Sequence, residues 1–437
     1  MIWMLFTVLS WFVFLRNQLY KYLGLSVDWH LVLHIFTLLM FFFVILKFLT
    51  SKVRIKKFDF IFLIFVLIFL SSGLLYLKNG FMMTYWGIFE YLYIFLLPYL
   101  LSFFNVSQNN LKSIYKILKV FVIISVGIAL YQSLEYLLYY KWELINFAIF
   151  TRHDINKPDL VRLGLLRSPS LVGSPMEWGS VALLYFLINF FMKKFKVSLI
   201  DSLILFSLII TVTRIVYVFL IVVGFIMFIK LSKIHFGKIV TKLKYSSLVL
   251  IIFILFFSII LLQFFIKGHQ RAEKLDFFAG EGHLRGFAFS VAKNLENKLI
   301  GYGPGTFGSY VSFVLDSKYL KELGIYSIHK DIKRIKTIDA FWLQTFIEMG
   351  VLGVLLNLIL FGYFFKILNN SFDNISKRNV YQLIIGFSFA AIFVPVIYFV
   401  IGIGFTTCIP SFVVWSSIIS GISLSYFRSL RDENISG

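Results

Sequence analysis

Arg152, Arg162, Arg167, Arg214, Arg271, Arg285 and Arg334 are the residues of this chain best suited to hold an anion. A guanidinium is planar, always charged, and grips a phosphate through two parallel N–H donors, which an ammonium cannot do. Arg214 is the most exacting of them, because it interrupts "TVTRIV" between two apolar segments. A charge at that depth costs about 3 kcal/mol or more, so it is expected to face a cavity or a partner. The group predicts an anionic ligand, and a diphosphate fits paired guanidinium groups well. Arg162, Arg167, Arg214 and Arg285 are the candidate anion-binding residues; Arg152, Arg271 and Arg334 suit lipid headgroups equally.

Acidic residues that could move a proton at the same level are few. Asp339 opens the apolar run "DAFWLQTFIEMGVLG" and is the candidate general base; an N-cap role is compatible with it. Glu348 lies nine residues further on, which turns it about half a revolution from Asp339 on one straight helix. Glu90, in "WGIFEYLYIF", lies about 9 Å inside its span at 1.5 Å per residue. His283, two residues before Arg285, is a reserve base, and Glu90 and Glu348 are further reserves. His30 and His34 have i, i+4 spacing without an HExxH context, which reads as a structural pair. "GYGPGTFGSY" has the glycine density of a phosphate-cradling loop but lacks its lysine, so a turn that lets backbone approach a ligand or a helix closely is the plainer reading.

Long apolar runs must position these groups. Hydrophobic residues make up 59% of the chain and charged residues 14%, against about 45–50% and about 25% in soluble domains. A multi-spanning membrane protein is the expectation, and its surplus charge of +21 is expected to follow topology rather than nucleic acid. The segment 1–15 lacks a basic start and a cleavage site, which predicts a retained span. One cysteine, Cys408, leaves no internal disulfide, and no metal-ligand spacing is visible. Runs near 1–15, 31–49, 58–77, 84–104, 114–138, 177–192, 198–212, 214–230, 246–267, 338–365, 379–401 and 405–427 predict about twelve transmembrane helices in an all-α integral membrane fold. The run 198–230 is read as two short spans; a single tilted helix there would reverse everything after it.

Short cytoplasmic loops are enriched in lysine and arginine. Lys47, Lys52, Arg54, Lys56 and Lys57, the lysines of "MKKFK", those of "KLSKIHFGKIVTKLK", and Lys366, Lys377, Arg378, Arg428 and Arg431 all fall on one side if there are twelve spans with both termini in the cytoplasm. The segments 139–176 and 268–337 then lie outside, within a single polytopic domain over 1–437. The longer exceeds the usual loop by far, which predicts an ordered cap.

Four stretches, taken in order, resemble the bacterial O-antigen ligase and polysaccharide polymerase superfamily, which includes Wzy-type capsule and O-antigen polymerases. They are Arg167, Ser170, Pro175 and Gly179 leading into a span; "TVTRIVYVFL"; "HLRGFAFSVAKNLENKLIGYGPGTFGSY"; and "DAFWLQTFIEMGVLG". They cover about 165–360; the first 140 residues match only as generic spans. Ligases of that group carry histidine where this chain has Asp339, and many polymerases carry aspartate, which favours a polymerase.

The resemblance implies a GT-C-like, all-helical glycosyltransferase in the bacterial cytoplasmic membrane. It would act at the outer leaflet on glycan repeat units linked to undecaprenyl pyrophosphate, for capsule or lipopolysaccharide synthesis. No cofactor or metal is implied, since the leaving group is already activated, and no nucleic acid is involved. A chain-length regulator and a flippase are candidate partners besides the lipid bilayer. The rivals are a ligase-type glycan transferase, a peptidoglycan-type glycosyltransferase, and a non-enzymatic flippase or transporter; paired discontinuous spans would mark an ion-coupled transporter, and no internal repeat of that kind is visible.

Overall fold

In the computed structural model the described residues are Trp3, 29–50, 57–136, 138, 161–162, 165–166, 170, 175–193, 197–198, 199–210, 288, 290–322, 341–378, 380–401 and 410–436. Helices dominate them. In chain order these are α1 (Trp29–Thr50), α2 (Lys57–Ser72) running on as a 3-10 helix (Gly73–Asn79), α3 (Phe81–Leu101) and α4 (Gln108–Glu135). Then come α5 (Pro175–Met192), α6 (Leu199–Ile210), the short α7 (Tyr310–Val314) and α8 (Lys318–Glu322), α9 (Phe341–Ser376), α10 (Gln382–Ile401) and α11 (Pro410–Ser436). One departure from an all-α fold is a two-residue ladder, β1 (Val161–Arg162) antiparallel to β2 (Leu165–Leu166), with Arg162 opposite Leu165.

Among the described helices, five are long and apolar enough to cross a membrane, and three shorter apolar ones accompany them. The surface supports the membrane reading. On α1, Leu33, Phe36 and Met40 are buried while Leu31, Ile35, Leu38, Leu39 and Phe42 are exposed, so the helix is apolar on both faces. In water such a surface would be an aggregation hazard; against hydrocarbon it is matched to its solvent. By contrast α5 is buried along its whole length from Trp178 to Phe190. A helix that is apolar all round and fully covered belongs at the centre of a bundle. It packs on α10, where Gly386 leaves room for the Ile188 carbonyl, and α10 packs in turn on α9 and α11.

Two ends of the bundle are distinguishable. At one, Arg428 of α11 makes a bidentate pair with Asp59 of α2 and donates to the Ser102 hydroxyl after α3. Its guanidinium lies 3.9 Å from the Phe103 ring centroid and 4.6 Å from that of Phe58. Lys47 donates to the Phe103 carbonyl, Trp3 Nε1 to that of Phe104, and Tyr426 to that of Val106. Lys193, at the turn from α5 to α6, pairs with Asp201 at 3.0 Å. Here Ser107 caps α4 by accepting from Asn110 N–H at 3.2 Å, one of the orphan donors of a helix start. Lys47, Lys193 and Arg428, all expected on one side, therefore share an end.

The opposite end lies about 30 Å away along α2 and its 3-10 continuation, since Asp59 and Asn79 are 20 residues apart in the chain. There the Tyr76 hydroxyl donates to the Ile300 carbonyl at 2.5 Å and Asn79 Nδ2 to that of Tyr302 at 2.7 Å. The glycine-rich stretch thus sits at the end away from Arg428. The division between the seventh and eighth expected spans, the span near 246–267 and most of 1–15 lie outside the described residues.

Candidate functional site

Asp339, Arg167, Arg214, Arg285 and His283 lie outside the described residues, and Arg162 is described only through its backbone in β1. The described part of the candidate site is the frame that would carry them. It contains the two reserve carboxylates, Glu90 and Glu348, and brings them within electrostatic reach of each other where α3 meets α9. Both are buried, 3% and 0% exposed.

The expected tenth span is not a continuous helix. Gly350 has φ 63° and ψ −162°, which interrupts α9 after its first two and a half turns. That region of backbone space is essentially reserved for glycine. A Cβ at this position would also lie 2.3 Å from the Leu299 carbonyl oxygen. A broken apolar helix needs other partners for its freed backbone groups, and the segment 298–303 supplies them. Val351 N–H donates to the Lys298 carbonyl at 2.9 Å and Leu352 N–H to that of Leu299 at 3.2 Å. In return the Ile347 and Glu348 carbonyls accept from Tyr302 and Gly303 N–H at 2.9 and 2.6 Å.

The loop then turns over the Glu348 side chain. Oε2 accepts from Gly305 N–H at 3.1 Å and from the Tyr91 hydroxyl at 2.7 Å, and Oε1 accepts from Phe307 N–H at 2.8 Å. Gly301, Gly303 and Gly305 all have positive φ, the conformation that turns successive N–H groups into an anion-binding concavity. Gly305 packs so closely on α3 that a Cβ on Gly87 would come within 2.3 Å of its nitrogen. Of the two readings of "GYGPGTFGSY", close approach to helices is the one observed.

Two buried neighbours complete the frame. Gln344 Nε2 lies 3.5 Å from the Tyr91 hydroxyl, one turn before Glu348. Glu90 lies close to the Val311 N–H, yet neither of its oxygens reaches hydrogen-bond geometry with any described residue. His34 is buried against Trp86, Phe89 and Tyr93, and its Nδ1 accepts from Trp86 Nε1 at 2.9 Å. One ring nitrogen is therefore paired, while the buried Nε2 has no hydrogen-bond partner among the described residues.

No family model, curated protein or solved structure matches the chain.

The elbow after Arg167 is held separately. Ser170 has φ 52°, its N–H donates to Gln132 Oε1 at 2.9 Å, and its hydroxyl donates to the Ser125 carbonyl at 2.6 Å. α4 therefore fixes the chain three residues beyond Arg167, and Pro175 begins α5, where proline is well tolerated. Sequence reasoning missed Tyr91, Gln344 and Gln132. For Gln132 a signal exists, an amide inside an apolar span with the carboxylate of Glu135 one turn away; a tyrosine among many tyrosines carries none. Among the described residues no group of three or more His, Cys, Asp or Glu side chains is placed to hold a metal. The frame itself offers rigidity: a loop backbone clamped to a helix break, on which side chains from both sides can keep a fixed separation.

Proposed function

We propose that the chain is a polysaccharide polymerase of the O-antigen polymerase and ligase type, with about twelve spans and a GT-C-like arrangement. It joins oligosaccharide repeat units carried on undecaprenyl pyrophosphate at the outer leaflet of a bacterial cytoplasmic membrane. One observation carries this reading above the others. Two of the four stretches on which the resemblance rests, the glycine turn and the E-x-G span, interlock through backbone and carboxylate. They do so at the end away from Lys47, Lys193 and Arg428, which the excess of basic residues assigns to the cytoplasm together with both termini.

In this scheme an acceptor sugar hydroxyl attacks the anomeric carbon of the donor glycan. The bond from that carbon to the lipid pyrophosphate oxygen breaks as the new glycosidic bond forms. Arg162, Arg167, Arg214 and Arg285 hold the pyrophosphate and offset the charge that develops on it. Asp339 takes the hydroxyl proton, a contribution of about 10²–10⁴-fold, and His283 is the alternative base. The test is to incubate purified protein with a synthetic undecaprenyl-diphosphate oligosaccharide without added metal. A ladder of lengthened glycans is expected. Arg167→Ala, Arg214→Ala and Arg285→Ala should each abolish it while the protein remains in the membrane. Normal chain length in all three variants ends the proposal, and full rate in Asp339→Asn removes the assigned base.

The interruption at Gly350 favours one second reading, a transporter of lipid-linked oligosaccharide. Discontinuous helices of transporters direct their half-helix ends at the ligand. In α9 the freed groups at the break are instead taken up by this chain's own residues 298–303. Movement of a fluorescent lipid-linked oligosaccharide across proteoliposomes without lengthening would favour the transporter.

A further inference from the structure

From residue 301 to residue 307 the backbone donors of the glycine-rich loop are already spoken for. Gly301 N–H donates to the Asn297 carbonyl, Tyr302 to Ile347, Gly303 to Glu348 and Thr306 to Gly303, all backbone carbonyls. Gly305 and Phe307 donate to the Glu348 carboxylate, and residue 304 is proline, which has no N–H. From 301 to 307 every backbone donor has a named acceptor within the chain. Buried peptide groups must be paired, and here the pairing leaves none between 301 and 307 for an external phosphate. The geometry is that of a nest of N–H groups occupied by a side-chain carboxyl.

We infer that Glu348 is a positioning residue: its carboxyl group is the resident acceptor of the glycine loop, and it sets the loop against the break in α9, so that residues 301–307 do not bind the substrate's diphosphate. Three donors converge on the carboxylate from two separate elements, Tyr91 from α3 and Gly305 and Phe307 from the loop. The Ser309 side chain lies within reach of it too. Glutamine in place of Glu348 would present an amide N–H₂ to at least one of these donors, so shape is kept and the clamp is lost. The loop follows the segment that carries Arg285, and α9 follows Asp339. A slip between them would misalign the donor-holding arginine and the base without removing either. This kinetic consequence rests on the polymerase reading; the clamp itself does not.

The test uses the full-length protein in nanodiscs. Amide hydrogen exchange over 301–308 is measured in wild type, Glu348→Gln, Glu348→Asp and Tyr91→Phe, with kcat and KM for the synthetic lipid-linked donor. In Glu348→Gln, exchange at Gly305 and Phe307 should rise on the order of tenfold, and kcat should fall on the order of tenfold with KM for the donor unchanged. Glu348→Asp should recover part of both, and Tyr91→Phe should show the smallest rise. A loop that gripped diphosphate directly would raise KM instead. Inorganic pyrophosphate, added to wild type as a probe, should leave exchange over 301–308 unaltered; protection there overturns the inference even if Glu348→Gln fails to fold. Native exchange and native kcat in a folded Glu348→Gln protein overturn it as well. If wild type lengthens no glycan while the exchange results hold, the polymerase reading fails and the clamp stands.

Discussion

The two ends of the bundle are closed by different chemistry. At one, side chains do the fastening: Arg428 spans α2, α3 and α11 through Asp59, Ser102 and a set of aromatic rings. At the other, backbone fastens to backbone, with residues 298–303 filling the interruption of α9 and a single carboxylate closing the loop above it. A side-chain lock depends on two or three residue types and can be exchanged for another well-packed set. A backbone lock depends on where the chain is able to turn, so it tolerates almost no change at its glycines and offers a rigid seat to whatever its flanks carry. The expectation is that the first end governs stability and the second governs activity.

The largest effect is expected at the side-chain lock. Arg428→Ala leaves Asp59 buried without its cation and should cost about 3–5 kcal/mol, seen as a lower melting temperature in detergent. Replacing both partners, Asp59→Leu with Arg428→Met, should recover most of that loss. If the double variant is as unstable as the single one, this end is not the exchangeable lock described.

Gly350→Ala comes next. Its backbone conformation alone should cost about 1–3 kcal/mol, and the clash with the Leu299 carbonyl adds to it. No second substitution nearby should rescue it. Gly362→Ala in the same helix is the control, because a Cβ there meets nothing within 4 Å; it should gain about 0.5–1 kcal/mol. Equal loss at both positions would mean that the break is not special.

Gln132→Leu takes away the acceptor of the buried Ser170 N–H. A loss of about 1–3 kcal/mol is expected, and the elbow next to Arg167 should become open to proteolysis or faster amide exchange. Ser107→Ala should be the mildest, about 1 kcal/mol for a lost N-cap. It lies at the Arg428 end, so exchange in the 301–308 loop should not respond to it. A response there would break the independence of the two ends.

Much of the helical layout was legible because an apolar run of membrane length leaves little alternative. The expected runs 31–49, 84–104 and 379–401 are observed as Trp29–Thr50, Phe81–Leu101 and Gln382–Ile401. Where periodicity carries no information, the reading fell short. The run 58–77 finishes as a 3-10 helix from Gly73 to Asn79, and the run 338–365 is longer and interrupted at Gly350. Glycine in an apolar span is common, so nothing local marks Gly350 as a break. The two-residue ladder at Val161–Arg162 and Leu165–Leu166 is too short for any pattern to reveal.

Glu90, Glu348 and the glycine stretch could each be singled out from residue type, but not their relation. Phe307 and Glu348 are 41 residues apart in the chain, Tyr91 and Glu348 257 apart. The sequence by itself determined that the chain is helical and suited to a membrane, and that its described basic anchors Lys47, Lys193 and Arg428 would share an end. Those properties follow from burying apolar surface and from the cost of moving charge through lipid, which composition and run length record directly. Only the tertiary structure decided that the glycine loop closes on a carboxylate of its own chain and fills a broken helix. Backbone N–H groups are the same in every residue but proline, so which carbonyl or carboxylate they meet is settled by packing and not by residue type.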